Sequence, residues 1–114
     1  MSDLNVSVVV AVKNEQKYVQ SAMLSILKQQ GLSFELIVVD DGSDDDTYNI
    51  LSLLAAEHKN LRLLKNPKAG KCSAFNYGVS HATGRFTCIY AGDDLMPEGS
   101  LAARFAMVSG YSET

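Results

Sequence analysis

Two pairs of adjacent carboxylates, Asp40-Asp41 and Asp93-Asp94, each closely follow a short apolar run and sit beside a glycine. Ionised carboxylates accept hydrogen bonds from N–H and hydroxyl groups. They also hold hard divalent cations, one or two of them sharing the ion with phosphate oxygens and water. Side chains alternate in an extended segment, so one acid of each pair can face a crevice while its neighbour turns towards a loop or helix end. One acid per pair is therefore the expected ligand group. Each pair also has a plain structural reading. A strand leaving into a turn favours Asp, Gly and Ser on backbone grounds alone, and Asp93-Asp94 can cap a helix opening at Pro97. The acidic run Asp44-Asp45-Asp46 is read as structural first. Ser43 followed three residues later by Asp46 has the spacing of a capping box, and negative charge suits a helix N-terminus.

Positioning these residues falls to four apolar runs, Val6 to Val12, Phe34 to Val39, Leu61 to Leu64 and Arg85 to Ala91. They are rich in Val, Ile and Leu and nearly continuous, the pattern of strands buried on both faces of a parallel sheet. Between them, Val19, Met23, Ile26 and Leu27 fall at helical spacing, as do Thr47, Ile50, Leu51 and Leu54, and then Phe75, Val79 and Ala82. Alternating strands and helices predict an α/β fold, a doubly wound, mainly parallel sheet with helices on both faces and a ligand crevice beyond the carboxyl ends of the strands. The segment after the first strand, Val12-Lys13-Asn14-Glu15, has no glycine to let a pyrophosphate approach a helix N-terminus. Another device must neutralise any phosphate, and the convergent acids point to a metal.

Composition sets the limits. The 114 residues, 46% of them hydrophobic, fit one domain spanning 1–114. With 20% charged residues and a net charge of -3, the chain has neither the signature of a disordered tail nor the basic surface of a nucleic-acid binder. Cys72 and Cys88 stand far apart, without a metal-ligand cluster, and read as small buried side chains or free thiols in a reducing compartment. No apolar run approaches the roughly 20 residues that span a bilayer. A cytoplasmic location is the expectation, with peripheral membrane association of a full enzyme beside it. His58 and His81 fall late in helices without a ligand partner at helical spacing and receive no catalytic role.

The segment from Val6 to Thr47, with Lys13-Asn14-Glu15, Ser25-Ile26-Leu27-Lys28-Gln29 and Val38-Val39-Asp40-Asp41-Gly42-Ser43, resembles the start of a family 2 glycosyltransferase. Gly70-Lys71 leading to Ala74-Phe75-Asn76-Tyr77-Gly78, then Thr83-Gly84-Arg85-Phe86 and Asp93-Asp94 before Pro97, resembles the donor half of the same GT-A fold, a Rossmann-like nucleotide-binding half. The resemblance covers nearly the whole chain, and its motifs are specific in combination. It implies a nucleotide-diphosphate sugar as ligand, UDP-type favoured, with inverting transfer to an acceptor glycan or other hydroxyl compound. Asp41 would accept from a base N–H such as uracil N3, Asp93 would bind the ribose hydroxyls, and Asp94 would ligate Mn2+ or Mg2+. Ala11 would offer backbone contacts to the base and Asn14 a side chain beside it, unless Asn14 caps the following helix. Lys71 is placed to approach a phosphate or the base, with a solvated lysine as the alternative. The family's aspartate-any-aspartate motif commonly has an acid two places before Asp93, where this chain has Ala91. No catalytic base is assigned: Glu98 sits beside Pro97, where a helix-start role suits it, and Glu113 is near the terminus. The expectation is a donor half completed by a C-terminal acceptor half or a partner chain. The alternative is a non-catalytic nucleotide or nucleotide-sugar binding module.

Overall fold

The four apolar runs pair side by side as parallel strands: β1 (Val6–Val12), β2 (Phe34–Asp40), β3 (Leu61–Lys65) and β4 (Phe86–Ala91). The computed structural model describes residues 4–91 and 96–103. Every residue of β1 and β2 is buried, which explains why those runs lack polar alternation. Strand order is β3-β2-β1-β4. The chain thus steps outward from β1 through β2 to β3, then crosses to the other side of β1. A reversal of this kind opens a crevice at the carboxyl ends of the two strands flanking it, here β1 and β4.

Helices α1 (Val19–Leu27) and α2 (Thr47–Glu57) cover one face and α3 (Lys71–Ser80) the other. On the first face Val8, Val10, Leu36 and Val38 meet Met23 and Ile26 of α1 and Leu51 and Leu54 of α2. On the second, Val9, Ala11, Ile37 and Val39 meet Ala74. The arrangement is the doubly wound α/β sheet that the residue pattern predicts.

Details differ where local chemistry outranks the pattern. β2 and β3 each run one residue further than expected, because Asp40 and Lys65 pair in register at the sheet's carboxyl edge. β4 starts at Phe86, while the Arg85 N–H donates to Leu4 O. The fully buried residues of α3 are Ala74 and Gly78; of the expected Phe75, Val79 and Ala82, Phe75 and Ala82 are partly buried against the same cluster, Ala82 from just past the helix, while Val79 is exposed. The cause is close approach. A Cβ on Gly78 would stand 2.5 Å from Val9 Cγ1 and 3.0 Å from Val39 Cγ2, so only the smallest residues let α3 sit this near the sheet. The capping box expected of Ser43 and Asp46 does not form either. Asp46 makes no side-chain cap, and Asp45 Oδ1 instead accepts from the Thr47 N–H at 2.9 Å. Both cysteines are free, and Cys72 is exposed rather than buried.

The amino edge of the sheet is closed by a polar network around Glu35, which is buried beside Ser7. Glu35 Oε2 accepts from Ser7 Oγ (2.6 Å), Thr83 N (2.7 Å) and Thr83 Oγ1 (2.9 Å). Ser7 Oγ accepts in turn from Gly84 N at 2.8 Å, and Arg62 stands 3.8 Å from Glu35 Oε1. Burial alone would push the Glu35 carboxyl up; the hydrogen bonds from Ser7 and Thr83, with Arg62, outweigh it and hold it below 4.5. A depressed native pKa contributes stability that is present above the unfolded value and is lost as pH falls through the native one. Thermal unfolding followed by circular dichroism is therefore expected to show a falling midpoint below about pH 4.5. Glu35→Gln should flatten that acid limb and cost about 1–3 kcal/mol at neutral pH. An acid limb of unchanged steepness in the variant would contradict the assignment.

Candidate functional site at the carboxyl edge

The opposite edge gathers the loops that follow β1, β2 and β3. Asp40, the last residue of β2, is buried; its Oδ1 accepts from Ser43 Oγ at 2.6 Å and its Oδ2 from Ser43 N at 3.2 Å. Its carboxylate is thus absorbed by its own turn. Asp41 is half-buried, and its N–H is fixed on Val12 O at 2.8 Å. Its Oδ1 accepts from Asn66 Nδ2 at 2.9 Å and from Gly70 N at 3.0 Å, with Gly70 N also 3.3 Å from Oδ2. The two acids of the pair face different partners, as alternation along an extended chain requires.

The loop after β1 is laced to the loop before α2. Asn14 takes a positive φ of 52°, which Asn tolerates better than most residues. Its N–H donates to Ser43 Oγ at 2.9 Å, and its Oδ1 accepts from Asp44 N at 2.7 Å. Further along, Glu15 N donates to Thr47 Oγ1 at 2.8 Å and Asp46 N to Gln16 Oε1 at 2.9 Å. Asn14 therefore braces the neighbouring loop rather than capping α1, whose first turn has no side-chain cap. Hydrogen bonding by Thr47 lowers the pKa of the half-buried Asp45 carboxyl, whose Oδ2 also accepts from Gln16 N at 3.4 Å and so helps to tie the two loops together.

Ala11 is buried on the α3 face and pairs with both Val39 and Ala91. Lys71 is the exposed first residue of α3, directly after Gly70. The fold thus brings Ala11, Asn14, Asp41 and Lys71 to one edge. Asp93 and Asp94 lie outside the described residues, as does Glu113; β4, which leads to the acidic pair, ends beside β1 with Ala91 opposite Ala11. Glu98 is exposed and lines a cavity of about 730 Å³ along α1, with Ser21, Ser25 and Lys28, that includes none of the carboxyl-edge residues. Two smaller clefts do belong to this edge. One of about 290 Å³ is lined by Asn14 to Tyr18 with Asp45, and one of about 260 Å³ by Asp40, Ser43, Tyr48, Lys65 and Asn66. Among the described residues no group of three His, Cys, Asp or Glu side chains is placed to hold a metal ion.

Asn66 is the residue that sequence reasoning passed over. Its signal was the Asn66-Pro67 dipeptide immediately after a strand, a turn-initiating pair. Its partner Asp41 lies 25 residues back.

The family model described as Glycosyl transferase family 2 matches residues 7–108. Among curated relatives, Glycosyltransferase GlyG of Streptococcus pneumoniae is 35% identical over 109 residues, covering 95% of this chain and 36% of that protein. Among solved structures, residues 1–349 of S. aureus TarS in complex with UDP superpose with a TM-score of 0.84 at 27% identity, covering 94% of this chain and 32% of that one. The mannosyltransferase PcManGT from Pyrobaculum calidifontis, in complex with GDP-Man and Mn2+, superposes with a TM-score of 0.79 at 29% identity, covering 90% of this chain and 31% of that one. The chain spans about a third of the length of each of these proteins.

Proposed function

This chain belongs to glycosyl transferase family 2, and from that premise we propose that it is the donor-binding part of a glycosyltransferase, holding a nucleotide-diphosphate sugar at the carboxyl edge of its sheet for inverting transfer to an acceptor hydroxyl. The observation that carries the proposal is Asp41: a fixed, half-buried carboxylate beside the point where strand order reverses, in a chain whose first loop has no glycine-rich phosphate cradle. A carboxylate there accepts the N–H of a nucleobase, which suits uracil. The UDP bound to TarS supports a UDP-type donor, and the GDP-Man bound to PcManGT keeps the class at nucleotide sugars in general.

The remaining roles follow the edge. Ala11 contacts the base through its backbone, Asn14 holds the first loop beside it, and Lys71 approaches the phosphates from the start of α3. Asp93 takes the ribose hydroxyls. Asp94 is the proposed ligand for Mn2+ or Mg2+; a carboxylate is the hard donor such ions prefer, and the Mn2+ in PcManGT supports the pairing. When bound, that cation supplies positive charge against the departing diphosphate. Deprotonation of the acceptor hydroxyl falls to a carboxylate of an acceptor-binding part, in keeping with the greater length of the relatives. No helix among the described residues is long and apolar enough to cross a membrane, and the proposed setting is cytoplasmic, with peripheral association in the full enzyme.

Isothermal titration of the 114-residue chain with UDP and GDP, each with and without Mn2+, tests the reading. UDP is expected to bind, and more tightly with Mn2+. Absence of UDP binding in both conditions would sink it.

A further inference from the structure

Asn66 and Gly70 hold Asp41 from one side. The Asn66 N–H donates to Asp40 O at 2.9 Å, continuing the β2–β3 ladder, so its Cα is set beside the acidic pair by the sheet itself. Its side-chain amide then meets three acceptors: Asp41 Oδ1 at 2.9 Å, Gly70 O at 3.2 Å and Lys68 O. Three converging acceptors allow only the NH2 end of the amide in that place, which fixes the side chain's orientation. Gly70, at φ 128° and ψ 141°, turns its own N–H onto the same Oδ1, a backbone conformation that side chains with a Cβ rarely adopt. Oδ1 therefore receives two donors at 3.0 Å or less, while among the described residues Oδ2 receives only the longer 3.3 Å contact from Gly70 N.

We propose that Asn66 is a positioning residue for nucleobase selection: by occupying Asp41 Oδ1 it presents Oδ2 as the acceptor for the base. This rests on the donor site proposed above and deepens it. The expected consequence is discrimination by hydrogen count. Uracil carries an N3–H that Oδ2 can accept, whereas cytosine has a bare, accepting N3 that meets the carboxylate as acceptor against acceptor.

The test is titration of UDP and CDP, both with Mn2+, into the full chain and its Asn66→Ala, Asn66→Asp, Asp41→Ala and doubly substituted Asp41→Ala/Asn66→Ala forms. The two nucleotides share the diphosphate, so the metal contribution cancels in their ratio. Asn66→Ala is expected to weaken UDP roughly tenfold and CDP little, shrinking the preference, as for a hydrogen bond to a charged group that loses its alignment. In the Asp41→Ala background the same change should leave UDP affinity unaltered. Asn66→Asp keeps the volume but replaces the donor with an acceptor, and should lose at least as much as the alanine form; it carries the test if the alanine form does not fold. A purely structural role would weaken UDP and CDP in parallel. Parallel loss, an unchanged preference in both Asn66 variants, or an equal loss in the Asp41→Ala background would each overturn the proposal. Wild-type UDP affinity in Asp41→Ala alone would instead show that Asp41 does not read the base, and the failure would then lie with the donor-site reading.

Discussion

Asp41→Ala is expected to lower the affinity of this chain for uridine and for UDP alike by one to two decades, about 1.5–3 kcal/mol. The magnitude is that of a hydrogen bond to a charged acceptor, and the equal effect on both ligands is the diagnostic part. Asp41 is tied to the strand end through Val12 O and to the loop before α3 through Asn66 and Gly70, so its carboxylate is placed before any ligand arrives. A preorganised group spends little on ordering when it binds, which makes its loss visible in full. Removing it also releases Gly70 N and Asn66 Nδ2 from their acceptor, and thermal unfolding of the variant separates that cost from the loss of the ligand contact. Wild-type affinity for uridine in Asp41→Ala would remove Asp41 from the site.

Asp94→Asn is expected to weaken UDP binding in the presence of Mn2+ by on the order of a hundredfold and to abolish most of the difference that Mn2+ makes. The reasoning is electrostatic. The diphosphate is the most highly charged part of the ligand, and the first loop offers no glycine-rich cradle of backbone N–H groups for it. Asn keeps the shape of Asp and one oxygen but removes the charge, so the comparison isolates what a carboxylate contributes to holding a hard cation. Titration of Mn2+ at fixed UDP checks it: unchanged UDP affinity with unchanged Mn2+ dependence would show that the ion is held elsewhere.

Much of this architecture is legible in the residues, and the parts that are not share a physical cause. β1 is read to its exact ends because seven consecutive buried positions leave no competing pattern. The face of α3 is read only in part: Phe75 and Ala82 do pack against the sheet, but periodicity weighs large apolar side chains, whereas a helix lying this close to a sheet has Ala74 and Gly78 at its centre and leaves Val79 exposed. The Ser43–Asp46 spacing suggests a capping box, yet Ser43 has a nearer acceptor in the buried Asp40, three residues back in the same turn. Ala11, Asn14, Asp41 and Lys71 could be placed at one edge from strand ends alone. Asn14's contact with Asp44 and Asn66's with Asp41 could not, since both join loops 25 or more residues apart. Asp93 and Asp94 rest on the sequence and on family membership, because they lie outside the described residues.

The central claim is that the nucleotide sits at the carboxyl edge where strand order reverses. Backbone amide shifts of the isotopically labelled chain, recorded as UDP is added with Mg2+, test it most directly. The account predicts perturbations clustered at Ala11, Asn14, Asp41, Gly70 and Lys71, with the Ser7, Glu35 and Thr83 network at the opposite edge unmoved. Perturbations centred on that amino-edge network, with the carboxyl edge silent, would contradict it.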